Sequence, residues 1–474
     1  MAVENFLARK MVENLKFVPT PCQDNLFKEL ANFVTSDPEA EWLMLLSGYA
    51  GTGKTSAMAA FIKVLKSFGK MYILLAPTGR SAKVLANYTG APAKTIHKQI
   101  YRQKSLKDGI GQFSIDLNKN RDTFFIVDEA SLITIGNVTG GNSFFGSGDL
   151  LDDLVTYIKS NRGNKLLLIG DPAQLPPIGM GASPALDPDY LAEYGNLREC
   201  WLRSVVRQEK ESGILHNATL LRNLIESENF DLPQLSVEGF EDIKRITGGE
   251  LIETISDSID RYGLDEVVVL CRSNKRANRY NLGIRQSVLY KEEQLTKGDK
   301  LMIVKNCYQF LEKIPELDFI ANGDVACLER IGGYEERYGL KFASATLSFA
   351  DYNNVEIDAK IILDTLTSET PALNSEQQKL LFNEVYADYD NIAIKKKRIE
   401  AVREDPYFNA LQIKYATAIT GHKSQGGQWK CVFIDNPFWG DEMTPDDKKW
   451  LYTAITRGIE QVYLVNFKDN LFKQ

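Results

Sequence analysis

Eight residues from Gly48 to Thr55 (GYAGTGKT) fit a spacing that holds phosphate groups, GxxxxGK[ST]. Glycines at Gly48, Gly51 and Gly53 let the backbone curl until its N–H groups point at phosphate oxygens. In this pattern the Lys54 ammonium reaches the β- and γ-phosphates, and the Thr55 hydroxyl holds Mg²⁺. The spacing predicts a nucleoside triphosphate site with Mg²⁺. The alternative is a plain glycine-rich turn.

Two more polar groups stand where apolar runs end. Asp128 ends the run 123–128 and Glu129 follows it, while Gln174 follows the run 165–170 within GDPAQLPP. We expect Asp128 to bind Mg²⁺, directly or through water, and Glu129 to orient or deprotonate the attacking water. An amide such as Gln174 can hydrogen-bond the γ-phosphate or that water, and so can sense hydrolysis. The alternatives are a solvated acid pair and a loop stiffened by prolines.

Short apolar runs alternate with helical patterns along the chain, at the spacing of α/β proteins. Runs of this kind are typical of strands that are buried on both faces of a parallel sheet. They fall into two groups, which predicts two α/β halves. The runs are 42–47, 71–77, 123–128 and 165–170 in the first half, and 266–271, 429–434 and 461–466 in the second.

Three stretches interrupt this pattern. Region 292–408 contains short strands and then a helical stretch, which opens at Ser375 with Gln378 three residues later, a capping-box pattern. We interpret this region as a β-rich insertion in the second half. Region 98–122 is a smaller polar insertion in the first half, and the Gly/Ser/Asn-rich segment 136–149 is predicted to be a loop.

Composition excludes several classes of protein. The 474 residues are 44% hydrophobic and 25% charged, which excludes a disordered or fibrous chain. A net charge of −7 would by itself argue against a nucleic-acid partner. Six cysteines without a CxxC pair and only three histidines argue against a zinc module and favour a reduced, cytoplasmic protein. We expect neither a membrane helix, which needs about 18 apolar residues, nor a signal peptide.

Nine short blocks, in order along nearly the whole chain, resemble the motifs of superfamily 1 helicases. The resemblance is to their B branch of P-loop NTPases, typified by RecD and the Dda helicase. The blocks are 19–23, 48–55, 76–78, 95–97, 128–131, 170–177, 206–208, 416–426 and 451–457. The resemblance implies an α/β fold with two RecA-like domains, an SH3-like β-rich insertion in the second and a small pin insertion in the first.

The resemblance also implies domain limits. The first RecA-like ATPase domain would span 1–203 and carry 98–122 where relatives have a pin that splits the duplex. The second RecA-like domain would combine 204–291 with 409–474, and 292–408 would be the SH3-like insertion.

For the nucleotide, the resemblance adds five positions. Gln23 looks like the reader of the adenine edge, with an exposed helix-start glutamine as the alternative. Arg207 and Arg457 look like the arginines that the second half directs at the γ-phosphate across the cleft. Gln425 and Gly426 match the segment that links nucleotide to DNA, with Gln425 near phosphate or ribose.

Single-stranded DNA crosses the tops of both halves in this family. Small hydroxyls, backbone N–H groups and a lysine suit phosphate contacts. The two histidines of this set could equally be structural. The matching positions are Pro77, Thr78, Thr95, His97, Thr420, His422, Lys423 and Ser424.

Two features of the insertions extend the resemblance. Asn306 and the turn 322–324 resemble Asn-rich turns of the inserted β domain, although NGD is also an ordinary hairpin signal. Tyr101 and Phe113 in the pin insertion are candidate wedges that could stack on the last base pair. A mere surface loop is the alternative.

Two segments depart from the family pattern. The loop 136–149 is longer and richer in glycine than the family leads us to expect, and could modulate DNA entry. The stretch 371–404 matches nothing in the family. The basic run 395–398 within it could touch duplex DNA or form a solvated face.

The sequence thus predicts an ATP- and Mg²⁺-dependent DNA helicase, monomeric, that moves 5′→3′ on single-stranded DNA and opens duplex junctions. One rival is a translocase that does not separate DNA strands, or that acts on RNA. Another is a P-loop ATPase switch that drives a protein partner. Repair, recombination, replication and mobile-element biology all remain open as pathways.

Overall fold

The computed structural model describes residues 2–15, 17–103, 113–136, 146–204, 211–307 and 320–473. Within these ranges the chain forms two parallel sheets, a closed five-stranded barrel and a two-stranded hairpin. The predicted α/β class with a β-rich insertion is confirmed. No helix in the described ranges is both long and apolar enough to cross a membrane.

The first α/β unit has a six-stranded sheet. Its elements are α1 (Ala2–Glu13), α2 (Pro21–Thr35), β1 (Leu43–Gly48), α3 (Lys54–Ser67), β2 (Met71–Ala76), α4 (Gly79–Thr89), β3 (Ala93–Thr95), α5 (Ile96–Ile100), β4 (Tyr101–Gln103), β5 (Phe113–Ile115), β6 (Thr123–Val127), α6 (Leu150–Lys159), β7 (Lys165–Gly170), α7 (Pro188–Ala192) and β8 (Leu197–Leu202). The strand order is β3-β2-β6-β7-β1-β8. Because β6, β7 and β1 are parallel neighbours, the loops that follow them emerge at one edge of the sheet.

Successive side chains of the central strands point to opposite faces of this sheet, and both sets are apolar, so the sheet is buried on both faces. Met44 and Leu46 of β1 pack in one core together with α2 and α3. Leu43 and Leu45 pack in the opposite core, against α6. The sheet is therefore a rigid base for the loops at its carboxyl edge.

The second α/β unit has a five-stranded parallel sheet and carries the barrel as an insertion. The elements are α8 (Gly213–Glu226), β9 (Ile243–Ile246), α9 (Leu251–Tyr262), β10 (Val267–Cys271), α10 (Asn274–Ser287), β11 (Lys300–Ile303), β12 (Val325–Arg337), β13 (Leu340–Phe349), β14 (Val355–Ile362), α11 (Ser375–Asp388), α12 (Lys395–Glu404), β15 (Leu411–Tyr415), β16 (Ala418–Thr420), β17 (Trp429–Asp435), α13 (Pro445–Ile455) and β18 (Gly458–Val465). The sheet order is β16-β10-β17-β18-β9.

Strands β11 to β15 close the barrel, with β15 pairing to β11 and β14. The closing strand Leu411–Tyr415 lies beyond residue 408, where the sequence ends the insertion. We therefore propose 415 as the end of the inserted domain. The other domain limits remain predictions.

The stretch 371–404 forms a helical appendage on the barrel. Helices α11 and α12 pack against the β12–β13 hairpin in a separate core that includes Phe342, Leu381 and Val402. The predicted cap is corrected by one residue, because Asn374 is the N-cap of α11 and Gln377 completes the capping box. Asparagine can accept the same backbone hydrogen bond as serine.

Candidate nucleotide site and DNA groove

The phosphate-binding loop connects β1 to α3, and its glycines are required by geometry. Gly51 and Gly53 have φ angles of 76° and 81°, in the left-handed region that residues with a Cβ rarely adopt. A Cβ atom on Gly48 would lie 3.0 Å from Leu202 Cβ and 3.1 Å from Lys54 Cγ. The loop therefore needs glycine at all three positions.

Lys54 lies at the mouth of this loop. Its Nζ donates to the carbonyl oxygens of Gly48 (2.6 Å) and Tyr49 (3.0 Å). The same ammonium is 3.9 Å from Asp171 Oδ2, on the loop that follows β7. The lysine is thus placed at the edge of the sheet where a phosphate would be held, beside Thr55 in the first turn of α3.

Asp128 and Glu129 follow the carboxyl end of β6. Burial and the neighbouring Glu129 charge raise the pKa of Asp128 to about 6, and Lys54 opposes that rise. The Glu129 N–H donates to Asp128 Oδ1 at 2.9 Å. Glu129 itself has a φ angle of 53°, a left-handed conformation that costs about 1–3 kcal/mol. Strain of this kind marks a constrained turn at the phosphate edge.

Thr55 and Asp128 fit Mg²⁺ by the chemistry of their donors. A hydroxyl and a carboxylate are the hard oxygen ligands that Mg²⁺ prefers. A cation would also offset the repulsion that raises the Asp128 pKa. In the ranges that the structure describes, no cluster of three or more His, Cys, Asp or Glu residues could hold a metal. Mg²⁺ here would therefore take most of its ligands from phosphate and water, as it commonly does.

Gln174 lies on the loop after β7 and is 6% exposed. Its backbone N–H donates to the Asp171 carbonyl at 3.2 Å. Its side-chain Oε1 is buried and has no hydrogen-bond partner among the described residues. An unpaired buried acceptor costs about 1–3 kcal/mol. Such an acceptor at the phosphate edge can receive an O–H from a water molecule.

Gln23 requires a correction. Its side chain is fully buried, with Oε1 accepting from the Thr20 N–H (3.1 Å) and Nε2 donating to the Thr52 carbonyl (3.2 Å). Both ends of the amide are occupied, so it does not face outward to read an adenine edge. Gln23 instead completes the capping box of α2 and ties that helix to the phosphate loop. The pattern Thr20-Pro21-Cys22-Gln23 is a capping-box signal in the sequence, but it was not predicted there.

Only one of the two predicted arginines is described, and its placement differs from expectation. Arg207 lies outside the described residues. Arg457 is 3% exposed, and its guanidinium donates to the Thr453 and Gly427 carbonyls at 3.1 and 3.2 Å and to the Thr456 hydroxyl at 3.3 Å. All three nitrogens are engaged within the second unit, so Arg457 would have to exchange these partners to reach a phosphate.

Residues 425–426 contact the first unit across the cleft. Gln425 Nε2 donates to the Leu175 carbonyl at 2.6 Å, and the Leu175 N–H donates to Thr453 Oγ1 at 2.9 Å. The expected Gln425 contact with phosphate or ribose is thus corrected to a contact beside Gln174. Gly426 has a φ angle of 72°, and a Cβ there would lie 2.9 Å from Ser81 Cβ.

A cavity of about 420 Å³ lies where the second unit meets the barrel. Three predicted DNA positions line it, Thr420, His422 and Lys423. Ser424 does not line the cavity, because it is buried and its hydroxyl donates to the Gly421 carbonyl at 2.7 Å. Ser424 therefore holds the turn instead of facing the groove.

Further residues that line this cavity were not predicted from the sequence. The cationic ones are Arg272, Lys275 and Lys414, against the single carboxylate of Glu369. Burial lowers the pKa of Lys414 and of Lys423 to about 8. The signal for Arg272 was available, because it follows the apolar run 266–271 as a strand-end side chain.

The predicted first-half positions lie around the amino ends of α4 and α5. Thr78 caps α4 by accepting from the Ser81 N–H, and Thr95 caps α5 by accepting from the Lys98 N–H. Pro77 directly precedes Thr78, and burial lowers the pKa of His97 to about 4. These hydroxyls serve the backbone, and none of the four residues lines the cavity.

The barrel docks on the first unit beside these caps. A Cβ on Gly79 would lie 2.5 Å from the Tyr352 hydroxyl, and Lys83 is paired with Asp351 at 3.1 Å. Asn306 Oδ1 accepts from the Asn322 N–H at 2.6 Å, and the Asn322 side chain accepts from Lys423. The Asn-rich turns thus connect the barrel to the groove residues of the second unit.

The pin insertion is an antiparallel hairpin of β4 and β5. Phe113 is 9% exposed, and the Tyr101 hydroxyl donates to Asp153 Oδ2 at 2.7 Å. Both rings therefore anchor the base of the hairpin, which does not suit a wedge on a base pair. Residues 104–112 of the pin insertion and residues 137–145 of the predicted loop 136–149 lie outside the described residues.

Two family models match the chain. One is the AAA domain, over residues 28–232, and the other is the UvrD-like helicase C-terminal domain, over 415–465. The first match covers the phosphate loop, Asp128 and Gln174, and the second covers the groove and the cross-cleft contacts.

Individual proteins are also similar. An uncharacterized protein of Methanocaldococcus jannaschii is 24% identical in an alignment 456 residues long, which covers 89% of this chain and 36% of that protein. The ATP-dependent RecD2 DNA helicase of Deinococcus radiodurans is 30% identical over 166 residues, 35% of this chain and 20% of that protein. The chain thus spans well under two thirds of the length of these relatives. A Bacteroides Pif1 helicase solved with ADP-AlF3 and ssDNA is 16% identical, with 97% of this chain and 95% of that chain covered at a TM-score of 0.47.

Proposed function

We propose that the chain is an ATP-dependent DNA helicase of the RecD-like B branch of superfamily 1, a proposal that the AAA-domain and UvrD-like helicase C-terminal matches support. It would move along single-stranded DNA and unwind duplex DNA. One observation carries the proposal: the second unit carries the cationic groove, and its residues also contact the loops beside the phosphate site. Hydrolysis in the cleft can therefore move the groove.

Hydrolysis is assigned to side chains at one edge of the first sheet. Lys54 would bind the β- and γ-phosphates, and Glu129 would take a proton from the attacking water. Gln174 Oε1 would orient that water, which fits its unpaired, buried state. Mg²⁺, held by Thr55 and Asp128, would supply positive charge to the transferring phosphoryl group.

Coupling to the second unit is assigned to the loop that carries Gln174. Leu175, the next residue, is bonded at its carbonyl to Gln425 and at its N–H to Thr453. A shift of Gln174 when phosphate leaves would therefore disturb two bonds across the cleft. Opening and closing of the cleft is the motion that would step the groove along a strand.

The DNA strand is assigned to the groove between the second unit and the barrel. Four cationic side chains, Arg272, Lys275, Lys414 and Lys423, line this groove, and Thr420 and His422 add polar groups. To bind phosphates, Arg272 would exchange its ion pair with Asp447 and Lys275 its ion pair with Glu369. Lys414 would exchange its hydrogen bonds to the Thr365 and Ser368 carbonyls. The similar Deinococcus protein is named a DNA helicase, which supports DNA as the strand.

The proposal also covers the direction of movement on DNA, the oligomeric state and the cellular compartment. Family membership favours 5′→3′ movement, with the chain acting as a monomer. All six cysteines are free, which supports a reducing compartment such as the cytoplasm.

ATPase measurements with single-stranded DNA, RNA and no nucleic acid test the proposal against its rivals. A helicase of this class should hydrolyse ATP faster with DNA. Stimulation by RNA alone would favour the RNA-acting rival, and a rate that no oligonucleotide changes would favour the switch that drives a protein partner.

A further inference from the structure

Tyr452 on α13 lies where the second unit touches the phosphate loop. It is 1% exposed. Its hydroxyl accepts a hydrogen bond from the Ala50 N–H at 2.8 Å and donates one to Asp171 Oδ2 at 2.7 Å. Ala50 is the third residue of the phosphate loop and Asp171 follows β7. One hydroxyl of the second unit thus joins two loops of the first.

Both hydrogen bonds of the Tyr452 hydroxyl can hold their partner groups in place. Donation to a carboxylate is charge-assisted and short, and backbone N–H groups of a phosphate loop are the groups that line a phosphate site. Burial raises the pKa of Tyr452 far above its ordinary value, so the hydroxyl keeps its proton. The donor and the acceptor roles therefore persist throughout the physiological range.

The Asp171 carboxylate has a second neighbour of consequence. Its Oδ2, which accepts from Tyr452, is also 3.9 Å from Lys54 Nζ. Its Oδ1 accepts from the Ala173 N–H at 3.0 Å, which ties it to the loop of Gln174. Tyr452 is therefore one residue removed from the lysine that would bind phosphate.

The second unit also contacts the phosphate loop at Tyr49, the residue before Ala50. The Tyr49 hydroxyl donates to Glu226 on α8, and the Arg222 guanidinium lies 4.8 Å from the centre of the Tyr49 ring. Helices α8 and α13 both belong to the second unit. Two successive loop residues are thus held from across the cleft.

We propose that Tyr452 is a positioning residue that couples closure of the two units to the phosphate loop. It sets the Ala50 N–H and the Asp171 carboxylate that faces Lys54. The inference rests on the proposed DNA-stimulated ATPase, because DNA bound in the groove of the second unit would raise turnover by holding this contact closed. Separation of the units withdraws the hydroxyl and lets both loops relax.

The variant Tyr452→Phe removes one oxygen atom and keeps the ring. We expect its DNA-stimulated kcat to fall at least tenfold, while its Kd for fluorescent ADP without DNA changes less than threefold. Tyr280→Phe is the matched control, because the Tyr280 hydroxyl also donates to a carboxylate at 2.7 Å, that of Asp435, but inside the second unit. The control should keep its stimulation by DNA.

Hydrogen exchange gives a readout that does not depend on activity. The peptide 48–54 should exchange faster in Tyr452→Phe than in the wild type and in Tyr280→Phe. Unchanged DNA stimulation in a folded Tyr452→Phe, unchanged exchange of that peptide, or equal losses in both variants would overturn the inference. If the wild type itself shows no stimulation by DNA, the proposed function fails first, which separates the two results.

Discussion

The guanidinium of Arg80 lies over the ring of Trp429, with its central carbon 4.0 Å from the ring centroid. Arg80 is the second residue of α4, whose N-cap is the predicted DNA position Thr78, and Trp429 begins β17 of the second unit. A guanidinium nitrogen also reaches the Gln428 carbonyl at 3.5 Å. This pair therefore bridges the first and second units.

Removing this bridge should weaken closure. A desolvated cation–π pair contributes about 1–2 kcal/mol, so we expect Arg80→Ala to lower DNA-stimulated ATPase activity about fivefold to thirtyfold. Arg121→Ala is the control, because that arginine is exposed and donates to Asn161 in the first unit. A loss fully explained by weaker DNA affinity, with kcat at saturating DNA unchanged, would contradict a role in closure.

Substitutions of Lys54 and Glu129 should affect ATP binding and ATP turnover differently. Lys54→Ala should abolish hydrolysis, because the loop loses its only charged contact with the β- and γ-phosphates. Glu129→Gln should bind ATP normally and lose about 10²–10⁴-fold in kcat, the usual contribution of a general base. ATP binding by fluorescence and single-turnover hydrolysis measure the two effects. Full activity in Glu129→Gln would show that another group activates the water.

Gln23 offers a test of base recognition. Because its amide is bonded to Thr20 and Thr52, Gln23→Ala should raise the KM for ATP and for GTP by similar factors. The cause would be a looser phosphate loop, not a lost base contact. Steady-state kinetics with both nucleotides measure this. A rise confined to ATP would restore the adenine-edge role implied by the resemblance.

DNA affinity should depend on pH through the groove lysines. Burial lowers the pKa of Lys423 to about 8, so its charge is present below that pH and lost as the pH rises through it. Binding of single-stranded DNA should therefore weaken between pH 7 and 9. Lys423→Arg stays charged and should flatten this dependence. Identical pH profiles for both proteins would place Lys423 outside the DNA contact.

Salt dependence tests the number of phosphate contacts. Four groove cations at about 0.7 each give an expected slope of roughly −3 for log affinity against log salt on single strands. Lys275→Ala should reduce its magnitude by about 0.7. A slope near −10, typical of strongly basic binders, would contradict the groove assignment.

Much of the architecture could be predicted from the sequence, because it depends on local patterns. Apolar runs predicted the buried strands, and the glycine spacing predicted a curled phosphate loop, in which Gly51 and Gly53 have left-handed φ angles. Strand ends placed Asp128 and Gln174 at one edge, since parallel strands share that edge. The net charge of −7 describes the whole chain and does not exclude the proposed DNA groove, because the cations of the groove are a local set.

Side-chain partners across the cleft could not be predicted in the same way. Tyr452 stands in the block 451–457 as an ordinary helix residue, and its contact with Ala50 joins residues 402 positions apart. Arg457 and Gln425 were assigned by resemblance, yet their hydrogen bonds go to nearby carbonyls and to Leu175. Sequence position specifies the segment, whereas packing of the two units decides which group each side chain meets.

Strand separation with ATP and Mg²⁺ on duplexes that carry a 5′ or a 3′ single-stranded tail tests the central claim most directly. We expect the 5′-tailed duplex to be unwound by the wild type and not by Lys54→Ala, and the 3′-tailed duplex to stay paired. Unwinding of the 3′-tailed duplex alone would overturn the direction. No unwinding of either substrate, by protein whose ATPase responds to DNA, would contradict the helicase assignment and leave a translocase.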